Sequence, residues 1–388
     1  MSAPRPSRRD FLRGTAAVAG AAALPSLLSP RDLAALEPRS FDWLRAMDAE
    51  ARSRNAGGPV ILARNENPYG MNPKAKLAFE GAWSYHNRYN SPQANELKKL
   101  FAARNGVSDD HVLLTQGSRE VLAMAVAAYG ANGKEVITPW PSYEEAGRYG
   151  DVMGLTVHRV PQTDALEMDL KAMDARIGAK TGLVFLCNPQ NPTGTLLGGD
   201  VMRDFARATA PRAMVLIDEA YHEFANDASY RSMIELVKAG DDVIIARTAS
   251  KIHGMAGLRI GFAIAKPAIL AKLAGFQMGQ VNPLACAAVT ASLEDPAYTT
   301  WCAQQNAIGR QYTTEALRKL GRRVITAHTN FVFFEAGRPN VEVRKALETA
   351  GFLVGRAFPN YPNWVRVSIG TPDEMKAFVV ALPQALRV

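Results

Sequence analysis

The chain has 388 residues, enough for two domains at about 150 residues each. Its composition, with 47% hydrophobic, 21% charged and 8% aromatic residues, excludes a disordered chain, a collagen-like repeat, a disulfide scaffold and a multi-span membrane protein. The formal charge is +8, but residues 1–31 supply half of it, and no basic stripe with interleaved aromatics remains, so we do not predict nucleic-acid binding.

The amino terminus has the order of a twin-arginine export signal. The sequence RRDFL at residues 8–12 is followed by an uncharged, alanine-rich stretch at residues 14–28. This stretch is shorter than the ~20 residues that cross a bilayer, and the basic residues before it are typical of a signal peptide. We therefore expect a signal segment at residues 1–30 and export by the twin-arginine machinery to the periplasm. The alternative is a cytoplasmic protein with a chance alanine-rich helix.

After the signal, short apolar runs alternate with amphipathic stretches, which is typical of a parallel α/β sheet. A helix is predicted at residues 41–54, where apolar residues recur at helical spacing. Strands are predicted at residues 112–115, 135–138, 156–160, 182–187, 214–218, 243–246 and 261–265. Helices are predicted between them, for example at residues 119–128 and 199–209.

The pattern changes after about residue 271, where a long helical segment precedes predicted strands at residues 324–325, 331–334 and 364–368. We therefore predict a large domain at residues 60–270 and a smaller α+β domain built from residues 35–59 and 271–388.

The three cysteines, Cys187, Cys286 and Cys302, are far apart and have no metal-ligand spacing, so no metal site is predicted. They allow at most one disulfide. Because Cys187 ends an apolar run, we expect it to be a buried, inert thiol.

Clusters of polar residues follow four predicted strands at their carboxyl ends, where open α/β sheets bind ligands. The first cluster is QGSRE at residues 116–120, and the second is NPQNPTG at residues 188–194. The first suits a phosphate at a helix N-terminus, although a serine N-cap explains it equally. The second is explained by a rigid turn alone.

The other two clusters contain ionisable groups. DEAY at residues 218–221 places a carboxylate at the end of an apolar strand, which indicates a site unless the strand end is solvated. RTASK at residues 247–251 and GMAGLR at residues 254–259 place serine, lysine and arginine between glycines. That combination suits an anion and an imine-forming amine, and a surface lysine is the alternative.

Together the clusters resemble the fold-type-I pyridoxal-phosphate (PLP) aminotransferases of class I/II, and within them the histidinol-phosphate aminotransferase branch. The motifs that carry the resemblance span about residues 60–385: NENPYG at 65–70, NPQNPTG at 188–194, DEAYHEF at 218–224, SKIHGMAGLRIG at 250–261 and VRVSIGT at 365–371. The resemblance implies an α/β PLP-transferase fold, with a mostly parallel sheet sandwiched by helices in the large domain and a smaller α+β domain.

The resemblance also implies roles towards PLP. Lys251 would bind the cofactor covalently and then move a proton between the substrate α-carbon and the cofactor. Asp218 would keep the pyridine nitrogen protonated. Asn191 and Tyr221 would hydrogen-bond the phenolic oxygen of the ring, and Tyr143 would stack on the ring.

The phosphate of the cofactor would be held by Gly117, Ser118, Ser250 and Arg259, a helix N-terminus combined with a guanidinium. The match at Tyr89 implies one further phosphate contact, made across a homodimer to the other subunit. The active site would then be shared between two subunits.

On the substrate side, Arg366 would bind a carboxylate or a phosphate by a bidentate pair, and Arg356 would assist it. Two positions depart from the family pattern close to the expected cofactor site, Arg119 and His253. The amino-terminal region also lacks the branch's substrate-covering segment. An exported enzyme would in addition be separated from cytosolic histidine biosynthesis, so the sequence does not favour histidinol phosphate as the physiological substrate.

The expected function is therefore that of a PLP-dependent transaminase, which moves an amino group between an amino acid, or an amino-acid-like phosphate ester, and a 2-oxo acid. The alternative on the same scaffold is a PLP lyase or decarboxylase, because the electron sink does not decide which bond at the α-carbon breaks. A non-catalytic binding protein with this fold is a third possibility.

Overall fold

The structure is a computed structural model that describes residues 58–89 and 92–387. The predicted signal at residues 1–30 and the predicted helix at residues 41–54 lie outside the described residues. So does nearly all of the amino-terminal part of the predicted small domain, residues 35–59.

The strands and helices follow each other through most of the described chain. The strands are β1 (Val60–Leu62), β2 (Val112–Thr115), β3 (Glu135–Trp140), β4 (Thr156–Pro161), β5 (Thr181–Cys187), β6 (Met214–Asp218), β7 (Val243–Thr248), β8 (Gly261–Ile264), β9 (Phe331–Glu335), β10 (Phe352–Val354) and β11 (Trp364–Ser368). The α-helices are α1 (Pro73–Gly81), α2 (Pro92–Asn105), α3 (Ser118–Gly130), α4 (Glu145–Val152), α5 (Leu170–Asp174), α6 (Gly199–Thr209), α7 (Ile234–Lys238), α8 (Pro267–Ala274), α9 (Pro283–Glu294), α10 (Pro296–Lys319), α11 (Asn340–Thr349) and α12 (Pro372–Leu386).

Seven strands form one sheet in the order β2-β8-β7-β6-β5-β3-β4, in which β8 runs antiparallel to both of its neighbours and the other pairs are parallel. The central strands β5, β6 and β7 are buried over nearly their whole length, as expected for a parallel sheet covered on both faces. The predicted mostly parallel sheet between helices is therefore confirmed.

Alternate residues of these strands belong to two different hydrophobic clusters, because successive side chains of a strand point to opposite faces of the sheet. One cluster contains Val184, Leu186, Val215, Ile217, Val243 and Ile245. The other contains Leu183, Phe185, Leu216 and Ile244. The sheet therefore has an apolar core on each face, and the polar residues of the site lie at the ends of its strands.

The carboxyl-terminal part of the chain has its own core. Strand β9 pairs antiparallel with β11, and β1 pairs in parallel with β10. Helices α11 and α12 pack with these strands around a separate cluster that includes Val332, Phe334, Val367 and Phe378. The boundary between a large and a small domain near residue 270 stays a prediction.

One expectation about this part was wrong. Residues 324–325 do not form a strand, because Val324 makes only an isolated bridge to Phe334. The helical segment expected after residue 271 consists of α8, α9 and α10, which begin at Pro267, Pro283 and Pro296. Proline is favoured in the first turn of a helix and disrupts helix interiors, so each of the three prolines marks a new helix.

Among residues 58–89 and 92–387, no helix combines the length and the apolar character needed to cross a membrane.

Candidate active site

A cavity of about 300 Å³ lies at the edge of the sheet where the parallel strands have their carboxyl ends. That volume is in the range of small-molecule binding sites. Ten of the predicted site residues line it: Ser118, Tyr143, Asn191, Asp218, Tyr221, Ser250, Lys251, Arg259, Arg356 and Arg366. The sheet topology thus brings together residues that are up to 248 positions apart in the sequence.

Lys251 follows β7 in the chain, and its side chain lines this cavity. Its Nζ donates to the backbone carbonyl oxygens of Arg64 and Asn65, each at 3.1 Å. Burial, assisted by the positive charge of Arg366, lowers the pKa of Lys251 to about 8, although the carboxylates of Glu66 and Asp218 oppose this shift. About a tenth of the amine is therefore uncharged at pH 7, far more than for an ordinary lysine, and this fraction is able to act as a nucleophile.

The carboxyl group of Asp218 ends β6 and is only 1% exposed. It accepts a hydrogen bond of 3.1 Å from the Ala220 amide. Burial raises the pKa of Asp218 to about 7, while that amide and the charge of Lys251 act in the opposite direction. A carboxylate has more acceptor positions than this one bond uses, so Asp218 is suited to a cationic N–H donor inside the cavity.

A hydrogen-bonded chain connects four polar side chains of the cavity. The Tyr221 hydroxyl oxygen accepts from Asn65 Nδ2 at 2.9 Å and from Asn191 Nδ2 at 3.3 Å. Asn191 Oδ1 in turn accepts from Arg366 Nη1 at 2.5 Å. Because both amides donate to Tyr221, its hydroxyl proton is available to donate to a bound oxygen. Burial raises the pKa of Tyr221, so the group stays protonated.

The turn between β2 and α3 forms an anion-binding corner. Gly117 precedes α3 with a φ of 82°, and no side chain caps the helix. A Cβ atom on Gly117 would lie 2.0 Å from Arg259 Nη2, so the guanidinium uses the space that a side chain would fill. Arg259 Nη1 also donates to Ser250 Oγ at 3.2 Å. A helix N-terminus, a guanidinium and two serines are the groups that bind a phosphate dianion.

The two arginines that we predicted to bind the substrate, Arg366 and Arg356, both line the cavity. Arg366 is buried in β11, and its Nη2 donates to the Ala63 carbonyl oxygen at 3.1 Å. Its Nε atom is buried without a hydrogen-bond partner. Arg356 is half-exposed and forms an ion pair with Glu144 at 2.8 Å.

Two residues singled out from the sequence, Tyr89 and His253, do not line the cavity. Tyr89 is 87% exposed and does not line the cavity. His253, which was expected close to the cofactor, is not a cavity residue: it is buried, and its Nδ1 lies 2.8 Å from Ser292 Oγ on α9. Burial, and to a smaller extent the charge of Arg104, lower the pKa of His253 to about 4, so it is a neutral structural residue. Arg119, in contrast, does line the cavity.

Asn65 supports several parts of the site, a role that its sequence context did not predict. Its amide nitrogen donates to Ser368 Oγ at 2.8 Å, its side chain holds Tyr221, and its carbonyl oxygen accepts from Lys251. Its φ is 54°, a left-handed conformation that asparagine tolerates better than most residues. The sequence feature that could have identified Asn65 as a site residue is its position at the start of the NENPYG motif.

The cysteines behave as expected from their surroundings. All three are free and buried, and burial raises the pKa of each thiol. Cys187 lines the cavity, but its raised pKa makes it a poor nucleophile.

The residues present fit PLP, as the donor set shows. The cavity combines an amine of lowered pKa, a buried carboxylate with spare acceptor capacity and a hydroxyl whose proton is free to donate. The anion-binding corner beside Gly117 supplies the remaining contacts that a phosphorylated, positively charged ring requires.

Comparisons with known proteins agree with this assessment. The family model for aminotransferase class I and II matches residues 58–382, and the model for the twin-arginine translocation pathway signal sequence matches residues 5–25. A histidinol-phosphate aminotransferase from Moorella thermoacetica is 35% identical over 331 residues, which cover 84% of this chain and 85% of the relative. Histidinol-phosphate aminotransferase 2 of Ralstonia nicotianae is 36% identical over 333 residues, with 84% and 88% covered.

A solved structure gives the same fold. The crystal structure of histidinol-phosphate aminotransferase from Sinorhizobium meliloti in complex with pyridoxal-5'-phosphate has a TM-score of 0.79 to this chain. The two proteins are 24% identical, and the match covers 94% of this chain and 99% of the other.

Proposed function

This chain belongs to the class I and II aminotransferases and is a PLP-dependent aminotransferase, and from that premise we propose how its cavity residues act on cofactor and substrate. One observation carries the proposal: Lys251, Asp218 and the anion-binding corner meet Arg366 in a single cavity. The cavity therefore combines the groups that PLP needs with a cation for the acidic group of a substrate.

When bound, PLP supplies an electron-accepting ring that stabilises negative charge at the substrate α-carbon. Asp218 would hold the ring nitrogen in its protonated form, since a buried carboxylate favours a positively charged partner. Tyr221, which Asn191 holds in place, would donate to the phenolic oxygen of the ring, and Tyr143 would pack against the ring. Ser118, Ser250 and Arg259 would hold the phosphate group beside Gly117.

Lys251 acts twice in the reaction. Its uncharged Nζ would hold the cofactor covalently. Once a substrate amine has freed it, the same Nζ would be placed to accept the proton from the substrate α-carbon and to return it. The lowered pKa of Lys251 supports both steps, because a general base works best when its pKa is near the working pH.

Arg366 binds the acidic group of the donor and of the 2-oxo acid acceptor. Its buried guanidinium has no carboxylate partner among the described residues, and its Nε atom has no hydrogen-bond partner. A buried charge without a counter-ion is costly, so a bound carboxylate or phosphate stabilises it. The relatives named histidinol-phosphate aminotransferase support a substrate with an amine and an acidic group.

We propose that the active unit is a homodimer. Tyr89 is exposed and outside the cavity, which supports a contact made by its hydroxyl to the phosphate site of the other subunit. Sedimentation velocity on the holoenzyme tests this proposal, and a monomer at working concentration would refute it.

We also propose that the chain is exported to the periplasm. The signal match at residues 5–25 supports this location. Because the twin-arginine route carries folded proteins, the chain can acquire PLP before export. A reporter fused to residues 1–40 should appear in the periplasm, and a reporter that stays in the cytoplasm would refute the proposal.

Amino-group transfer is tested by incubating the holoenzyme with a panel of amino donors and 2-oxo acids and identifying both products. We expect a new amino acid and a new 2-oxo acid in equal amounts. The variant Lys251→Ala should lose at least about a thousandfold in rate, since it removes the group that moves the proton. Lys76→Ala, which removes an exposed lysine outside the cavity, is the matched control. Release of carbon dioxide without a new amino acid would contradict the proposal.

A further inference from the structure

Two cavity arginines lie beside the same aromatic ring. The guanidinium carbon of Arg356 is 4.4 Å from the ring centroid of Phe358, and that of Arg366 is 5.5 Å from it. The Gly355 amide donates to the Arg366 carbonyl oxygen at 2.9 Å, which fixes the two arginines next to each other. Their charges repel: after the larger effect of burial, Arg356 contributes to lowering the pKa of Arg366 to about 10. One ligand with two acidic groups is therefore within reach of both arginines.

The two arginines differ in the charge of their partners. In the described part of the chain, Arg366 donates hydrogen bonds only to neutral acceptors, the side-chain oxygen of Asn191 and the carbonyl oxygen of Ala63. Arg356 is already paired, since its Nη2 lies 2.8 Å from Oε1 of Glu144. Glu144 itself lines the cavity, directly before α4. Of the two arginines beside Phe358, Arg366 thus has no carboxylate partner among the described residues, whereas Glu144 neutralises Arg356.

The next residue repeats this arrangement. Glu145 also lines the cavity and accepts from Arg119 at 2.9 Å and from Arg148 at 2.7 Å. Arg119 is one of the two positions where the sequence departs from the family pattern, and its charge is compensated by this pairing. The EE pair at residues 144–145 therefore places two carboxylates at a cavity whose ligands are themselves acidic.

We propose that the carboxylate of Glu144, by its ion pair with Arg356, makes the site selective for substrates with a single acidic group. This inference rests on the proposed function, which assigns Arg366 to the substrate's acidic group. A substrate with one carboxylate binds Arg366 and leaves the Glu144–Arg356 pair intact. A second acidic group, as in a dicarboxylic amino acid or a phosphate ester of an amino acid, has to displace Glu144 from Arg356 and then lies close to its negative charge. Specificity of this kind comes from a repulsive element as much as from an attractive one.

Equilibrium binding of unreactive acids to the holoenzyme tests the proposal. The probes are butanoate and succinate, which have the same chain length and carry one and two carboxylates, and calorimetry gives their affinities. In the wild-type chain we expect succinate to bind no more tightly than butanoate. In Glu144→Gln the ratio of succinate to butanoate affinity should rise roughly tenfold, because Arg356 becomes free for the second carboxylate.

Two further variants make the result specific. Glu342→Gln removes a carboxylate from an ion pair with Arg338 outside the cavity, and it should leave the affinity ratio unchanged. The double variant Glu144→Gln/Arg356→Gln should lose the gain, because the gain depends on the freed arginine. Wild-type protein that already prefers succinate, or a ratio unaltered in Glu144→Gln, would overturn the proposal.

The binding measurement needs no amino transfer, so its failure is separate from failure of the proposed function. If the affinity ratio shifts as described while no donor yields a 2-oxo acid, the selection by Glu144 is supported and the assigned reaction is refuted. If amino transfer proceeds and the ratio does not shift, only the selection by Glu144 is refuted.

Discussion

Asp218 and Lys251 acquire their properties from the same cause, burial beside each other at the ends of two neighbouring strands. Burial disfavours the charged form of both groups, which raises the pKa of Asp218 to about 7 and lowers that of Lys251 to about 8. The opposite charges partly offset these shifts. Perturbed ionisable groups of this kind cluster at catalytic sites, and here they lie in one cavity with Arg366.

The lowered pKa of Lys251 predicts how PLP attaches to the cofactor-free protein. Only the uncharged amine attacks an aldehyde, so the attachment rate should rise with pH and level off above about 8. Lowering the pKa of a lysine moves its uncharged form to lower pH, so the rise ends earlier than it does for an ordinary lysine. Stopped-flow absorbance at a series of pH values measures the rate. A rate that continues to rise towards the ordinary lysine pKa of 10.5 would contradict the structure.

The site residues that the sequence revealed are those that stand in recognisable motifs, such as Lys251, Asp218 and Asn191. The contacts of Asn65 and Glu144 were not predictable, because each depends on a partner far away in the chain. Asn65 binds Tyr221 across 156 positions, and Glu144 meets Arg356 only because the β10–β11 connection comes close to the start of α4. Motifs identify the chemistry of a residue, whereas the fold alone determines such pairs.

Among the elements around the cavity, the turn from β2 into α3 is tightly constrained. Its glycine has a positive φ, and its missing side chain makes room for Arg259. These two requirements are separable by mutation, since the chain offers another glycine of similar φ in open space.

We predict that Gly117→Ala weakens PLP binding by about tenfold or more, because the added methyl group displaces Arg259 from the anion-binding corner. Gly133→Ala is the matched control. Gly133 has a φ of 75° and no atom within 4 Å of the added methyl group. Gly133→Ala should lose roughly 1 kcal/mol of unfolding free energy from backbone strain. Gly117→Ala should lose more, because its φ of 82° and ψ of 160° form a conformation that essentially only glycine adopts. Equilibrium dialysis with PLP and thermal unfolding measure the two effects, and equal PLP affinity in both variants would refute this account.

The strands of the seven-stranded sheet were predictable because each is a short apolar run next to a turn, and the predicted ends agree closely with the structure. Strands β1 and β10 were not predicted from the sequence. Each has only three residues, too few for a periodic pattern, and they pair with each other across almost the entire described chain. Residues 324–325 have strand-like composition but find only one bridging partner. Long-range pairing therefore created β1 and β10, and the lack of further pairing left residues 324–325 without a strand.

Across the whole molecule, the charges of the amino-terminal signal segment are distinct from the charges that line the cavity. Half of the formal charge of +8 lies in the first 31 residues, which include the region matched by the export-signal model. Around the cavity, Glu144 neutralises Arg356 and Glu145 neutralises Arg119, whereas Arg366, Arg259 and Arg64 have no carboxylate partner among the described residues. The net charge of the chain was therefore a poor guide to its ligands, and the positions of the charges were a good one.

The central claim is that PLP attaches to Lys251, and borohydride reduction tests it most directly. Reduction fixes the cofactor to the lysine that holds it, and peptide mass mapping then locates the modified residue. We expect the full-length holoenzyme to carry one pyridoxyl group per chain, on the peptide that contains Lys251, and we expect Lys251→Ala to carry none. A modification on another lysine, or the same extent of labelling in Lys251→Ala, would contradict the account.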